Sequence, residues 1–433
     1  MNDLTARYRN SNYYLEKALA LIPTGSQTFS KSRYALPEKV SPLFLDQGKG
    51  SRVKDIDGNE YLDFISGLLA ISLGYQDAEV DEAVKEQLSK GVSFSLSTLL
   101  EQELAELMVG LIPCAEQVRF AKNGTDATSA AIRLARAYTG KEHVATCGYH
   151  GWQDWYIGTT SRDLGVPQAI KELTHTFTYN DLASLEMVFE NHPNKLAAVI
   201  LEPMTFTLPK TGFLQGVKDL CKKYGAVLIF DEMITGFRFD IGGAQRLFGV
   251  TPDLATFGKG MANGFPLSAI VGCEEIMSKM DDIFFSGTFG GEALSLSAAK
   301  ACINKIVKEN VCDKNRLKGL QLKDDVNSLI LQLGVSDLFD IQGDPAWTLL
   351  NVKAHKQYSS LELKSLFLQE CYRHGILITG THNLNYAHTL ADVETLLNVY
   401  KPAMQLVKQV CEKGNIDEHF KGEYLKPIFK VRS

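Results

Sequence analysis

Apolar runs and segments with helical spacing alternate through the middle of the chain. Residues 118–122 (V-R-F-A-K), 196–201 (L-A-A-V-I-L) and 226–230 (A-V-L-I-F) have the composition of strands, and residues 125–141 and 212–224 have the spacing of helices. Strands that are apolar throughout and separated by helices are typical of a parallel sheet that is covered on both faces. We therefore predict an α/β fold whose large domain has a mixed, mostly parallel sheet with helices on both faces.

The two ends of the chain have a different pattern. Residues 11–22 predict a helix that stops at Pro23, and residues 43–46 and 52–64 predict strands with a hairpin turn at Asp57-Gly58. The other predicted elements are helices at 78–90, 99–111, 300–333 and 390–412 and strands at 349–353 and 375–380. We expect residues 1–64 (helix and hairpin) and 306–433 to form a smaller α+β domain, and residues 65–305 to form the large one.

Composition narrows the class of protein. The chain has 433 residues, of which 45% are hydrophobic and 22% charged, with a net charge of −6. These values are ordinary for a globular protein and argue against a nucleic-acid or anionic-membrane surface. The N-terminus lacks the apolar core of a signal peptide, and the eight scattered cysteines lack a C-x-x-C pair. We expect a cytoplasmic protein with free thiols, no metal site, no nucleic-acid partner and no membrane partner.

Residues with candidate catalytic side chains lie at or near the ends of the predicted strands. Glu202 follows the strand 196–201, Asp231 and Glu232 follow the strand 226–230, and Lys259 stands among glycines after a further apolar run. The carboxyl ends of parallel strands meet at one edge of a sheet. One such acid would be an ordinary ion-pair partner, and one such lysine an ordinary surface residue. Together they are the pair that pyridoxal 5′-phosphate (PLP) requires, because an amine binds this cofactor and a carboxylate keeps its ring nitrogen protonated.

Two further segments suit the same cofactor. Asn123, Gly124 and Thr125 stand where the strand 118–122 runs into a helix, and the free N–H groups of a helix N-terminus attract phosphate. The alternative is an ordinary helix cap. Tyr149 and His150, in Y-H-G-W, supply a flat aromatic surface that could stack on a ring, although a core aromatic is the alternative.

Six segments occur in one order along the chain: K-N-G-T-D-A, Y-H-G-W, L-E-P, F-D-E-M-I-T-G-F-R, F-G-K-G and S-G-T-F. In this order the chain resembles the class-III, fold-type-I PLP aminotransferases, which include ornithine and glutamate-1-semialdehyde enzymes. The resemblance runs from Pro23 to the helix 390–412. It implies a PLP-dependent transaminase.

The resemblance also implies a role for each matching residue. Lys259 would be the Schiff-base lysine and proton carrier, and Asp231 the partner of the ring nitrogen. Thr288 would reach the phosphate of a neighbouring subunit, which implies a homodimer with shared active sites. The other implied cofactor contacts are Asn123, Gly124 and Thr125 at the phosphate, Tyr149 and His150 at the ring face, Met233 under the ring in place of a more usual valine, and Glu202 on the hydroxyl side.

The substrate is less closely indicated. Lys31 stands where aminomutases of this family carry an arginine, and an ammonium cannot make the two-pronged contact of a guanidinium. We expect Gln27, Lys31, Glu202 and His382 to contact the substrate. The loop T-G-S-Q-T-F-S-K resembles a branch of the family found in bacterial surface-sugar pathways. That branch implies amination of the C8 aldehyde of 3-deoxy-manno-octulosonate, for lipopolysaccharide, with glutamate as donor.

Two alternatives stay open at this point. Glutamate-1-semialdehyde 2,1-aminomutase, or a related isomerase of the same fold, would use the same cofactor residues without releasing a keto acid. A non-catalytic protein of this fold is expected to have lost Lys259 or Asp231, and this chain has both. The apolar residues of segment 421–433 could pack locally or on a partner subunit.

Overall fold

The computed structural model describes residues 4–427, which divide into two compact units. The first unit contains residues 4–68, 73–77 and 314–427, and the second contains residues 69–72 and 78–313. The sequence prediction places the divisions at 64/65 and 305/306, a few residues earlier in the chain. Among the residues described, no helix is both long and apolar enough to cross a membrane.

The strands are β1 Leu45–Lys49, β2 Arg52–Asp55, β3 Glu60–Asp63, β4 Gln117–Ala121, β5 His143–Cys147, β6 Thr174–Thr176, β7 Leu196–Leu201, β8 Val227–Asp231, β9 Leu254–Phe257, β10 Ser268–Gly272, β11 Phe339–Asp344, β12 Trp347–Val352, β13 Ile376–Leu377 and β14 Thr381–His382. The α-helices are Leu4–Arg7, Arg9–Leu21, Ala78–Lys90, Leu99–Leu111, Gly124–Thr139, Asp154–Ile157, Gln168–Lys171, Leu182–Asn191, Phe213–Tyr224, Ala244–Phe248, Glu274–Met277, Ala293–Lys308, Val311–Leu333, Ser360–Arg373, Leu390–Lys413 and Ile416–His419. Short 3-10 helices are Pro23–Gly25, Phe29–Lys31, Lys259–Ala262 and Ser278–Asp281.

A seven-stranded sheet organises the second unit, with strand order β4-β10-β9-β8-β7-β5-β6. Strands β5 to β9 are mutually parallel, and β10 is antiparallel to both of its neighbours. Every residue of β7 and β8 is buried, as the continuous apolar runs predict. The alanine-rich face of the helix Gly124–Thr139 packs on these strands in one core. The predicted mostly parallel α/β fold is confirmed.

The first unit has two smaller sheets, ordered β1-β2-β3-β13 and β11-β12-β14. The predicted hairpin is present between β2 and β3, where Asp55 Oδ1 accepts from the backbone N of Asp57 and Asn59. In the C-terminal segment Leu425 is buried and Tyr424 stacks on Phe420. The predicted tail residues Ile428 and Phe429 lie outside the described residues.

Several elements differ from the sequence prediction. The predicted helix 300–333 is two helices, because the chain turns at Glu309 and at Asn310, whose φ is +50°. The predicted strand 375–380 contains only two strand residues, 376 and 377. Strands β5, β6, β9, β10, β11 and β14 are absent from the prediction because their short or mixed sequences show no clear period.

Candidate active site

Two carboxylates and a lysine lie at the carboxyl ends of three adjacent parallel strands. Glu202 follows β7, Asp231 ends β8, and Lys259 comes two residues after β9. Lys259 has a φ of +43°, a left-handed conformation that costs a non-glycine residue about 1–3 kcal/mol. The turn after β9 therefore holds this lysine in a fixed, strained geometry at the sheet edge.

Asp231 is buried and held by three donors. Its Oδ2 lies 2.8 Å from His150 Nδ1, and its Oδ1 accepts from Met233 N at 3.2 Å and from Thr256 Oγ1 at 3.3 Å. The same His150 ring places its Nε2 3.1 Å from the carbonyl oxygen of Cys147. A buried carboxylate needs such partners to compensate for lost hydration. Its orientation is therefore fixed by the protein alone.

Glu202 and Lys259 influence each other's charge. Glu202 Oε2 accepts a hydrogen bond from Tyr149 N at 2.9 Å. Burial, and after it the negative charge of Asp231, raises the pKa of Glu202 above its usual value. Burial lowers the pKa of Lys259, while the carboxylates of Glu202 and Asp231 oppose that shift. The lowered pKa favours the neutral amine, the form that can act as a nucleophile or a base.

The predicted phosphate cradle is the first turn of the helix Gly124–Thr139. Asn123 N donates to Asp126 Oδ2 at 2.8 Å, and Ser268 Oγ donates to Asn123 O at 2.8 Å. The first N–H groups of a helix have no acceptor within it. A Cβ at Gly124 would lie 3.0 Å from Met233 Sδ, so the backbone approaches closely here.

A glycine also shapes the wall beside this turn. Gly151 has a φ of +105°, and a Cβ on it would collide with the hydroxyl of Thr125. That hydroxyl accepts a hydrogen bond from Trp152 N at 3.3 Å. The helix start, the glycines and the buried Asp231 therefore fit the phosphate and ring nitrogen of PLP.

Tyr149 provides the flat surface that the sequence predicts. Its side chain is half exposed, and its ring meets Tyr156 edge-on with centroids 5.6 Å apart. Tyr156 is held in turn, because its hydroxyl donates to Gly148 O at 2.8 Å. The tyrosine ring is thus fixed at one edge, and half of its surface stays accessible to a ligand.

Three supporting residues were missed by the sequence analysis. Thr256 lies directly opposite Asp231 in the pairing of β8 with β9, Ser268 begins β10, and Thr128 Oγ1 donates to His150 O at 2.8 Å. The signal for Thr256 was the apolar run L-A-T-F before Lys259, which has the length of a short strand.

Glu232, the acid next to Asp231, is held by hydrogen bonds within the protein. Its carboxylate accepts from Ala244 N at 2.7 Å, from Gln245 N at 2.9 Å and from the hydroxyl of Thr235. Burial raises the pKa of Glu232 to about 7. Of the two adjacent acids, only Asp231 contacts His150.

The predicted substrate residues other than Glu202 belong to the first unit. Gln27 and Lys31 are exposed. His382 is buried, and its two ring nitrogens lie 2.9 Å from Thr348 Oγ1 and 2.8 Å from Tyr400 OH. Both nitrogens have partners inside the core of the first unit, and the contact of His382 with substrate stays a prediction.

Thr288 is exposed in the wall of an open cleft of about 1000 Å³ in the second unit. Lys122 and Arg133 line the same cleft, and Lys122 Nζ forms a 2.9 Å ion pair with Glu292. The exposed side chains of Leu96 and Phe289 also line it. The cleft therefore combines basic and apolar groups.

The chain is similar in sequence to a known family and to several named proteins. A family model described as aminotransferase class-III matches residues 34–392. The 3-aminobutyryl-CoA aminotransferase of Cloacimonas acidaminovorans is 36% identical over 405 residues, which cover 91% of this chain and 96% of that protein. The glutamate-1-semialdehyde 2,1-aminomutase of Natranaerobius thermophilus is 38% identical over 348 residues, covering 76% and 80%.

Solved structures share the fold. The FumI protein of Sphingopyxis sp. MTA144, solved in a PLP form, superposes with a TM-score of 0.86 at 27% identity, covering 93% of this chain and 97% of that one. An omega-transaminase of Sphaerobacter thermophilus gives a TM-score of 0.83 at 28% identity, covering 93% and 99%.

The fold and the site define a PLP-dependent enzyme of fold type I. The chain belongs to the class-III aminotransferase family, and its cofactor is PLP. The predicted family, fold, enzyme class and cofactor are confirmed. The roles of the individual residues stay predictions.

Proposed function

We propose that the enzyme transfers an amino group between glutamate and a carbonyl carbon that bears no carboxylate, such as a terminal aldehyde. The observation that supports amino transfer is the interaction of the Lys259 amine with the charges of two buried carboxylates, Glu202 and Asp231. The names of two relatives support the substrate class. In 3-aminobutyryl-CoA and in glutamate-1-semialdehyde, the carbon that bears the amino group carries no free carboxylate.

Different residues of the chain would carry out different parts of the chemistry. Bound PLP supplies a ring that withdraws electrons from the substrate carbon next to nitrogen. Asp231, held by Thr256 and Met233 N, would keep a proton on the ring nitrogen. Lys259 Nζ, as a neutral amine, would take the proton from the substrate carbon bound to nitrogen and deliver it to the carbon on the other side of that nitrogen. Tyr149 would cover one ring face and the helix start at Gly124 would bind the phosphate.

The narrower proposal is a sugar aldehyde, the C8 aldehyde of 3-deoxy-manno-octulosonate. The exposed side chains of Gln27 and Lys31 support it, because they leave hydrogen-bonding groups available. Three buried polar side chains give the proposal no such support, because their hydrogen-bonding groups have partners within the protein. His382 is used in the core, Asn383 Oδ1 accepts from Trp347 Nε1, and Asn385 Nδ2 donates to Ser66 Oγ.

The second candidate is an aminomutase, which the 38% identity to the Natranaerobius enzyme favours. The experiment that separates the candidates mixes the PLP-loaded enzyme with a panel of amino donors and follows the visible band of the bound cofactor. An aminotransferase converts the cofactor to its amino form and releases one keto acid per site. The aminated enzyme is then offered sugar aldehydes and glutamate-1-semialdehyde. Lys259→Ala is the control, and failure of every donor to change the band contradicts the proposal.

We also propose a homodimer with shared sites in the cytoplasm. The cleft that contains Thr288 supports the dimer, since Leu96 and Phe289 expose apolar surface beside it and a second copy would cover them. All eight cysteines are free thiols, which suits a reducing compartment. Light scattering of the wild type and of Leu96→Glu tests the dimer. An unchanged mass for the variant contradicts this interface.

A further inference from the structure

Three histidines meet at one edge of the seven-stranded sheet, away from the candidate active site. His143 begins β5, and Cys147 ends this strand about 13 Å away, at 3.3 Å per residue, two residues before Tyr149. His175 is the middle residue of the edge strand β6, and His192 directly follows the helix Leu182–Asn191. One ring nitrogen of each lies within 4.8 Å of the others.

The backbone places all three side chains. His175 pairs with Ala145 in the β5–β6 register, so His143, two residues before Ala145, lies on the same face of the sheet. His143 N donates to Lys195 O at 3.0 Å, and Lys195 N donates to His192 O at 3.1 Å. The chain that carries His192 is therefore tied to the start of β5 by main-chain hydrogen bonds.

The rings are stacked and only one direct hydrogen bond joins them among the described contacts. His143 Nδ1 lies 2.8 Å from His175 Nε2, and the centroids of the His175 and His192 rings are 3.8 Å apart. Burial and the neighbouring imidazoles lower the pKa of His143, and that of His175 to about 4. Lys195 and Arg136 also act to lower the pKa of His143, and Glu142 opposes them. The ordinary interpretation is a purely structural stack of rings.

Ligand chemistry favours a metal site over a stack alone. Neutral imidazole is the ligand that zinc, copper and nickel prefer, and a set of nitrogens without oxygens does not suit Mg²⁺ or Ca²⁺. Tetrahedral Zn²⁺ with bonds of about 2.0–2.1 Å needs nitrogens about 3.3–3.4 Å apart. His143 Nδ1 and His175 Nε2 lie 2.8 Å apart, and one nitrogen of each ring lies within 4.8 Å of the others, so the side chains need only adjust locally to satisfy this geometry.

We propose that His143, His175 and His192 form a Zn²⁺ site, with a fourth position left for water. The ion would join the edge strand β6 to the chain that leaves the helix Leu182–Asn191. Its loss would loosen that edge without removing any residue of the PLP site. The cysteine spacing predicts no metal site, and these histidines, 32 and 17 residues apart in sequence, form no metal-binding motif along the chain.

The test uses the PLP-loaded enzyme, treated with a chelator and freed of excess PLP, which itself binds zinc. Equilibrium dialysis against Zn²⁺ measures stoichiometry and affinity for the wild type, His175→Gln and His192→Gln. We expect the wild type to bind one Zn²⁺ per protomer. Each of the two histidine substitutions should weaken this binding by at least about tenfold. The matched control carries His355→Gln and His374→Gln, which remove two histidines of the first unit, and should bind as the wild type does.

X-ray absorption at the zinc edge of the wild-type protein gives a second reading that needs no variant. Three imidazole nitrogens in the first coordination sphere are expected. Wild-type protein without saturable zinc binding overturns the proposal. Equal zinc affinity in the His175→Gln and His192→Gln variants and in the control overturns the proposal as well. So does a coordination sphere with fewer than two imidazoles.

Discussion

Asp231→Asn separates the charge of the buried carboxylate from its packing. The substitution keeps the size and shape of the side chain. Asn Oδ1 can still accept from Met233 N and Thr256 Oγ1, and the new Nδ2 faces His150 Nδ1 at the position of the present 2.8 Å contact. His150 can adopt the tautomer whose Nδ1 accepts from the amide and whose Nε2 donates to Cys147 O, 3.1 Å away.

The expected magnitudes follow from that geometry. The variant can make all four of these hydrogen bonds with a neutral imidazole, so we expect the free energy of unfolding of the cofactor-free protein to change by less than about 1 kcal/mol. The lost quantity is a fixed negative charge at the ring nitrogen. Preorganised electrostatic groups are commonly worth about 3–4 kcal/mol, and each 1.36 kcal/mol is a factor of ten. The half-reaction with a saturating donor should therefore slow by about 10²–10³-fold.

The assay is stopped-flow absorbance of the bound cofactor after mixing with glutamate, together with chemical denaturation of the same preparations. Glu232→Gln is the matched control at the next residue. Either orientation of the new amide places its NH₂ against the backbone N–H of Ala244 or Gln245, so this variant should lose about 1–3 kcal/mol of stability. Its rate per folded, loaded site should stay near that of the wild type.

Two results would refute the reasoning. A half-reaction rate for Asp231→Asn within tenfold of the wild type means that the carboxylate's charge has no large role. A loss of stability equal to that of Glu232→Gln means that His150 cannot change its tautomer, and the hydrogen-bond scheme is then wrong.

Three further predictions concern the same site. Lys259→Ala should abolish the visible band of lysine-bound PLP and all turnover, because no other amine replaces it; an unchanged absorbance spectrum contradicts the assignment. In the cofactor-free protein the amine of Lys259 should become reactive at a pH below 10.5, since burial lowers its pKa, and Glu202→Gln should lower that midpoint further by removing a charge that favours the ammonium. Acetylation followed by mass spectrometry measures both midpoints, and an upward shift in the variant reverses the predicted sign. Gly151→Ala should weaken PLP binding, measured by dialysis, because its Cβ collides with Thr125 and its φ is +105°; wild-type affinity shows that the wall can move, and Gly165→Ala, at a positive φ with open space around it, controls for the backbone effect alone.

The sequence predicts those site residues that end long apolar strands. Glu202 and Asp231 follow fully buried runs, so their position at the sheet edge follows from the strand pattern. Partners that are distant in sequence are harder to predict. The contact between His150 and Asp231 spans 81 residues, and Thr256 lies on a strand of four residues. Both depend on strand order, which the periodicity of a single chain does not encode.

The surroundings of His382 were also hard to predict. Its neighbours in G-T-H-N-L-N have the composition of an exposed loop, and the prediction treats the histidine as available to substrate. Its burial depends on Tyr400 and Thr348, which are contributed by a helix and a strand elsewhere in the chain. Polar composition therefore indicates that a side chain forms hydrogen bonds but does not indicate its partner.

The hydrogen bonds that hold Asp231, Glu202 and the helix start join protein groups to one another. Each acid is oriented by donors from the chain, through Thr256, Met233 N and Tyr149 N. Groups that the protein has already oriented need little reorganisation when a ligand binds. We therefore expect these two acids to contribute to PLP affinity without a large ordering cost.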